Sequence, residues 1–180
     1  PWLMPLTLTD LLAEYDRSLP YTASLVDGLS DEQILWRPHE ESSAIGWHLG
    51  HQGVVAHFMI RNLTAAEPSP DPELDALMDS ATPERDRGAL PDVARIHDYR
   101  DAIAERVRYW VGRIDAGQTG APNQLRMIAG NLLTAVVNHE YQHSKWVGEV
   151  RNEAHGLDLP PDAESPNLTV VDGYTILRMW

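Results

Sequence analysis

The chain has 180 residues, a formal net charge of −13 at pH 7, 43% hydrophobic residues and no cysteine. This length and composition predict one globular domain over residues 1–180, and the lack of cysteine excludes disulfides, cysteine-ligated metal sites and a cysteine nucleophile. The acidic charge disfavours nucleic acid and anionic membrane surfaces as partners, and no apolar stretch approaches the ~20 residues that cross a bilayer.

The chain opens with a helix-forming segment. Residues 1–5 contain neither a basic region nor an apolar run, so we expect no signal peptide there. Thr7 and Asp10 are helix-capping residues, and the apolar residues that follow recur at helical spacing. This pattern predicts a first long helix over 9–27, and a short capped turn follows it.

The second predicted helix covers 43–63 and is apolar on nearly every side, which is typical of a buried helix. It contains Gly46, Gly50 and Gly53, and each glycine weakens a helix by about 1 kcal/mol relative to alanine. We therefore expect these glycines to allow the close approach of a neighbouring helix.

A connection rich in proline and acidic residues follows over 64–91, and we expect a short helix within it at 73–79. A clean apolar stripe predicts a third long helix over 92–115, and the fourth is predicted over 123–153. The rest of the chain, from residue 154, is rich in proline and then apolar. It is expected to pack as an extended cover or as a short hairpin.

These elements predict an all-α fold. Four long helices, with a long crossover between the second and the third, form a four-helix bundle with its core over about 8–153 and a short irregular tail over 154–180. The apolar end of the tail favours a subunit contact and hence a homodimer. Bundles of this kind build metal sites in their cores from side chains on facing helices.

The fourth helix carries two histidines on its inward face. Residues four apart lie about 40° apart around an α-helix, so His139 and His143 point the same way. Neutral imidazoles in a core each need a partner, and a shared divalent metal serves both. The full inward stripe is predicted to be Ile128, Leu132, Ala135, Val136, His139, His143, Trp146, Val147 and Val150.

The second helix offers a third ligand. His48 and His51 are three residues apart and share a rough face of that helix. Either could complete a three-histidine site with His139 and His143 and leave open positions for water or substrate. Spacing alone does not choose between them. Surface or ordinary core roles are expected for His39, His57, His97 and His155.

The run His139-Glu140-Tyr141-Gln142-His143 also matches H-E-x-x-H, in which zinc peptidases use the glutamate as general base. A peptidase further needs a downstream ligand and an edge strand. Glu164 lies at a suitable distance, but Pro160 and Pro161 precede it and no strand pattern lies upstream. Glu140 has two interpretations: a proton acceptor near the metal, or a salt-bridge residue on the outer face.

Three motifs together resemble the DinB/YfiT-like superfamily of metalloenzymes. They are Leu35-Trp36-Arg37-Pro38, Ile45-Gly46-Trp47-His48-Leu49-Gly50-His51 and His139-Glu140-Tyr141-Gln142-His143. The resemblance covers roughly residues 8–153. It implies a four-helix bundle and a metal held by His51, His139 and His143, with His48 as a neighbour.

The chemistry implied by the resemblance is diverse. Some members use mycothiol or bacillithiol in transfer and isomerisation, and others resemble metal-dependent hydrolases. The H-E-x-Q-H form is also similar to the amino-terminal domain of the iron-dependent sulfoxide synthases of ergothioneine synthesis. In those enzymes the glutamine beside the last histidine lies near the substrate imidazole, which implies a catalytic role for Gln142 here, alongside Glu140.

We therefore expect a cytoplasmic, metal-dependent enzyme that acts on a small molecule, by thiol-dependent transfer or isomerisation or by hydrolysis. Three histidines suit zinc, nickel and ferrous iron alike. A low-molecular-weight thiol would have to be a separate cofactor, because the chain has no cysteine. The alternatives are a non-catalytic protein that binds metal or a small ligand, and the zinc peptidase.

Overall fold

The computed structural model describes residues 4–65 and 67–178. Residues 1–3, part of the segment for which no signal peptide is predicted, lie outside the described residues. The described chain is mostly helical, which confirms the predicted helical class. Its helices are, in chain order, α1 Leu8–Val26, α2 Asp31–Leu35, α3 Ile45–Thr64, α4 Pro72–Leu77, α5 Val93–Asp115 and α6 Pro122–Glu149, with a 3-10 turn at Glu84–Asp86 and a π-helical turn at Val150–Ala154.

Local sequence signals explain where the first helices begin. The Thr7 hydroxyl accepts a hydrogen bond from the Asp10 backbone N–H (3.1 Å), and the Asp10 carboxylate accepts one from the Thr7 N–H (3.0 Å). Ser30 and Gln33 cap α2 in the same way. The predicted bounds lie within two residues of those of α1, α3 and α5. The fourth helix, predicted over 123–153, is α6 together with the π-helical turn Val150–Ala154 that continues it.

The long helices pack side by side around an apolar core. α6 contacts α1, α3 and α5, and α3 also packs along α5. α3 is buried on nearly every side, as predicted, although Phe58 is 63% exposed. A Cβ added at Gly53 would lie 3.0 Å from Tyr99 Cε1 on α5. This glycine therefore allows the close helix approach that the sequence predicted.

The buried arc of α6 corrects the predicted inward stripe. Ile128 and Ala135 are exposed, whereas Glu140 and Tyr141 are buried, so the stripe was placed about one residue too early. The error arose because polar and small residues, not apolar ones alone, fill the side of α6 that faces α1 and α3. The buried residues of α6 are Ala129, Leu133, Val136, Val137, Glu140, Tyr141, His143, Ser144, Val147 and Gly148.

The crossover between α3 and α5 lies against α3. It contains α4, close to the predicted short helix. The Trp47 indole N–H donates to the Leu77 carbonyl (3.3 Å), and a Cβ added at Gly50 would lie 2.6 Å from Met78 Sδ. The crossover is therefore packed against the part of α3 that carries its histidines.

The tail contains a hairpin, which corrects the prediction of an irregular tail and agrees with the hairpin alternative. β1 Leu168–Val171 pairs antiparallel with β2 Tyr174–Leu177, and Asp172 and Gly173 form the turn with positive φ angles of 51° and 84°. The hairpin packs on α6, where the Leu177 N–H donates to Asn138 Oδ1 (2.8 Å).

The predicted homodimer stays a prediction. No helix within residues 4–65 and 67–178 has the length and apolar character needed to cross a membrane.

Candidate metal centre

Three histidines converge between α3 and α6. His139 and His143 are one helical turn apart on α6, and His51 faces them from α3. One ligand nitrogen from each residue lies within 4.8 Å of those of the other two. Imidazole nitrogens bind Zn²⁺ at about 2.0–2.1 Å, so three nitrogens this close together suit a shared cation. We call these three residues the histidine cluster.

The crossover fixes the ring of His51. Its Nδ1 donates a hydrogen bond to the Met78 carbonyl at 2.8 Å. This bond assigns the proton to Nδ1, so Nε2 carries a lone pair that is available to a metal. A backbone carbonyl on the second nitrogen is a common partner of metal-binding histidines.

His48 contacts the cluster without joining it. Its Nδ1 lies 2.8 Å from His143 Nδ1, so one imidazole donates to the other and the Nε2 atom of each ring remains free of this bond. The sequence left the third ligand open between His48 and His51. In the structure His51 belongs to the cluster, whereas His48 contacts only His143 among the cluster residues through a hydrogen bond.

The imidazoles of the cluster are held in their neutral form. Burial lowers the pKa of His139 from 6.5 to about 4, with a further contribution from His51. Burial, and then His139 and other neighbours, lowers the pKa of His143 to about 2. The pKa of His51 is also lowered, chiefly by burial. Neutral rings keep their lone pairs at physiological pH, which metal binding requires.

Aromatic and cationic groups back the cluster on the side of the crossover. The Trp47 ring stacks on the His51 ring, with centroids 4.5 Å apart and an interplanar angle of 12°. The Arg87 guanidinium carbon lies 3.6 Å from the Trp47 ring centroid. The ring of Trp146 meets that of His143 edge-on at 4.8 Å.

Clefts open beside all three histidines. The first, about 440 Å³ in volume, is lined by His51 and His143 together with Trp47 and Arg87, and we call it the Arg87 cleft. The second, about 400 Å³, lies between α6 and the hairpin beside His139, and we call it the hairpin cleft. The cluster is therefore within reach of small molecules. A third cleft of about 440 Å³ opens on the other side of His51, near Phe58.

The sequence of this chain matches a model of the DinB superfamily over residues 14–147. The match spans well over half of the chain and includes His51, His139 and His143. The chain belongs to the DinB superfamily. This confirms the resemblance that the three sequence motifs indicated. No curated protein matches the chain.

Glu140 of this DinB-superfamily protein is buried, which corrects the interpretation that places it on the outer face. Its Oε1 accepts hydrogen bonds from Arg100 Nη2 on α5 (2.6 Å) and from the Thr22 hydroxyl on α1 (2.8 Å). The side chain is 3% exposed and that of Arg100 is 11% exposed. The carboxylate is thus bound by two side chains outside the histidine cluster, and its catalytic role stays a prediction.

A polar network lies directly behind the histidine cluster. Gln52, Glu140 and Ser144 each follow one of the three histidines in sequence, and successive residues lie about 100° apart around a helix. Gln52 Nε2 donates to the Glu140 carbonyl (2.8 Å) and to Ser144 Oγ (3.1 Å), and Arg100 Nη1 donates to Gln52 Oε1 (2.9 Å). These bonds fix how α3 and α6 are rotated relative to each other.

Gln142 is exposed and lines the hairpin cleft beside His139. The same cleft is lined by Asn138, Tyr174 and Ile176. Its catalytic role stays a prediction, but its amide is free to meet a molecule in that cleft. Among the described residues, five histidines lie outside the cluster: His48, His39, His57, His97 and His155.

Sequence reasoning missed the groups that the crossover supplies. The Met78 carbonyl, Ser80, Glu84 and Arg87 have no motif that marks them. The unusual length of the crossover was the available signal, because long connections in compact domains are often functional. Reasoning from spacing also missed Arg100, which is one arginine among several on an amphipathic helix.

Proposed function

We propose that this DinB-superfamily protein is a four-helix bundle that binds one divalent metal ion through His51, His139 and His143 and acts as a metal-dependent enzyme on a small molecule. The observation that carries the proposal is the convergence of three imidazoles from two helices to within 4.8 Å. Zinc, nickel and ferrous iron all suit such a ligand set.

The residues around the cluster fit a bound cation. His51 is oriented by the Met78 carbonyl, and His143 by His48, so each ring has one nitrogen bonded and one free. Metal-binding histidines characteristically have such a second partner, which fixes the tautomer. When bound, a divalent metal supplies Lewis acidity and promotes the ionisation of a water or thiol ligand at neutral pH.

The Arg87 cleft and the hairpin cleft supply the side chains with which the protein itself would bind a substrate. Trp47 and Trp146 supply apolar walls to the Arg87 cleft. In the hairpin cleft the Gln142 amide can donate and accept hydrogen bonds next to His139. Three protein ligands leave coordination positions open for substrate.

Within this class we favour thiol-dependent transfer or isomerisation over hydrolysis. The preference comes from the resemblance to thiol-dependent superfamily members. Since the chain has no cysteine, the thiol is a separate small molecule. In this reaction Glu140 would act as a positioning residue, through its bonds to Arg100 and Thr22, rather than as the proton acceptor that the sequence predicted.

Titration of cobalt-loaded protein with 2-mercaptoethanol tests whether a thiol reaches the site. We expect a saturable change in visible absorption, lost in H143A and retained in the control H97A, since His97 lies outside the cluster. Turnover is then assayed with thiols plus an electrophile and with ester and amide substrates. A fully metal-loaded protein that turns over none of these would contradict the enzymatic proposal and favour a non-catalytic metal-binding protein.

The zinc peptidase is the weaker candidate. Glu140, which would be its general base, is buried and bonded to Arg100 and Thr22. A strand does lie beside His139, because β2 packs on α6, so strand geometry alone does not argue against a peptidase. Retained cleavage of a casein substrate by E140Q protein would exclude the H-E-x-x-H mechanism.

A further inference from the structure

Arg87 is a buried guanidinium in the wall of the Arg87 cleft. Its side chain is 8% exposed. Nε donates to the Thr82 carbonyl at 3.1 Å, and Nη1 donates to the Ser43 hydroxyl at 2.6 Å. These two bonds hold the side chain against the crossover and the start of α3.

The third nitrogen of Arg87 is not used in this way. Nη2 makes no hydrogen bond to any part of the chain that the structure describes. The nearest carboxylate oxygen, Glu84 Oε1, lies 3.7 Å away, which exceeds hydrogen-bond distance. A guanidinium carries five N–H donors on three nitrogens. The bonds to Thr82 and Ser43 use Nε and Nη1 only. Nη2 is therefore within ion-pair distance of Glu84, but its N–H groups have no hydrogen-bond acceptor among the described residues.

The unused donors lie next to the histidine cluster. The Arg87 guanidinium stacks on the Trp47 ring, and the Trp47 ring stacks on His51. Only the indole of Trp47 therefore separates the guanidinium from a ring of the histidine cluster along this stack. His143 lines the same cleft. A small molecule that reaches the cluster through this cleft passes within reach of Arg87.

The chain as a whole carries a net charge of −13, so the positive charge of Arg87 in the wall of the cleft is opposite in sign to the net charge of the molecule. Guanidinium groups bind carboxylates with shorter and stronger hydrogen bonds than neutral donors make. We propose that Arg87 binds a carboxylate of the substrate, so that the substrate carries a metal-binding group at one end and a carboxylate at the other. This inference rests on the proposed metal-dependent function.

A matched pair of probes tests the inference on cobalt-loaded, full-length protein. The probes are 3-mercaptopropionate and 3-mercaptopropanamide, which have the same length and thiol and differ in charge at the far end. Affinities are measured by visible absorption and by calorimetry. We expect the carboxylate to bind at least about tenfold more tightly than the amide, as one charge-assisted hydrogen bond provides.

Four variants test whether a preference for the carboxylate probe depends on Arg87. R87Q should bring the two affinities together, while R85Q should keep the preference, because Arg85 is an exposed arginine of the same loop that does not line the cleft. R87K should keep part of the preference, since it retains the charge. E84Q should increase the preference, because the competing Glu84 carboxylate is removed.

The outcomes separate this inference from the proposed function. If wild-type protein binds no cobalt, the proposed function fails and the inference fails with it. If cobalt and both thiols bind with equal affinity, the metal site stands and the inference is overturned. A preference for the carboxylate probe that persists in R87Q also overturns the inference, and so does its absence from cobalt-loaded R87K. The comparison of the two probes on wild-type protein decides even if R87Q does not fold.

Discussion

The histidines of the cluster differ in how the rest of the molecule holds them. His51 donates to a backbone carbonyl, His143 pairs with His48, and His139 stands half-buried at the edge of the hairpin cleft. Helical spacing was enough to predict that His139 and His143 share a face. Neither the Met78 carbonyl nor the His48 contact could be predicted, because both depend on how separate segments pack.

His48 is expected to act as the orienting partner of His143. H48A removes the Nδ1 acceptor and should lower metal affinity by about 10- to 100-fold, the usual effect of removing such a partner. H48N should restore much of the affinity, because its amide oxygen can accept the His143 N–H. Competition with a chromophoric chelator measures both. Wild-type affinity in H48A would show that His143 needs no partner.

The relative rotation of α3 and α6 depends on buried polar residues. Arg100 from α5 and Thr22 from α1 donate to the Glu140 carboxylate. Gln52 of α3 accepts from Arg100 and donates to the Glu140 backbone carbonyl. This arrangement could not be predicted from the sequence, since charged residues on a helix usually face solvent. The same residues explain why the apolar stripe on α6 was predicted in the wrong register.

Breaking the buried ion pair should destabilise the fold. R100M leaves the Glu140 carboxylate buried and without its cation, which should cost about 3–5 kcal/mol of the free energy of unfolding. R108M removes an exposed partner of Asp16 and should cost less than about 1 kcal/mol. Urea unfolding measures both variants.

The double variant R100M/E140M is the internal control for that experiment. Replacing both members of a buried pair by apolar side chains is often nearly neutral, so it should recover much of the lost stability. An R100M protein as stable as the wild type would mean that Glu140 does not depend on Arg100.

At the scale of the whole molecule, the sequence predicted the helical elements better than their connections. Amphipathic and capping patterns located α1, α3 and α5 to within two residues, because these signals are local. Gly53 of α3 correctly predicted a close approach to α5, whereas Gly50 packs against Met78 of the crossover. The walls of the Arg87 cleft, which come from a crossover with no periodic pattern, could not be predicted.

Buried neutral histidines should make the metal-free protein sensitive to acid. The pKa values of His48, His139 and His143 lie below the 6.5 of the unfolded chain, chiefly because of burial. Below pH 6.5 the unfolded chain therefore binds more protons than the folded chain, so stability falls as the pH drops from about 6.5 towards the folded-state pKa values. Each imidazole contributes a slope of up to about 1.4 kcal/mol per pH unit.

Urea unfolding of chelator-treated protein between pH 7.5 and 4.5 measures this slope. The variant H139Q/H143Q lacks two of the titrating groups and should lose stability less steeply over the same range. Equal slopes for the variant and the wild type would show that these imidazoles are not held neutral by the fold.

The metal content of purified, untagged protein tests the central claim most directly. We predict about one divalent metal ion per chain by elemental analysis, with loss of the ion in H51A, H139A and H143A and retention in H97A. Stably folded wild-type protein that takes up no zinc, nickel or iron, or an H143A variant that binds metal as tightly as the wild type, would contradict it.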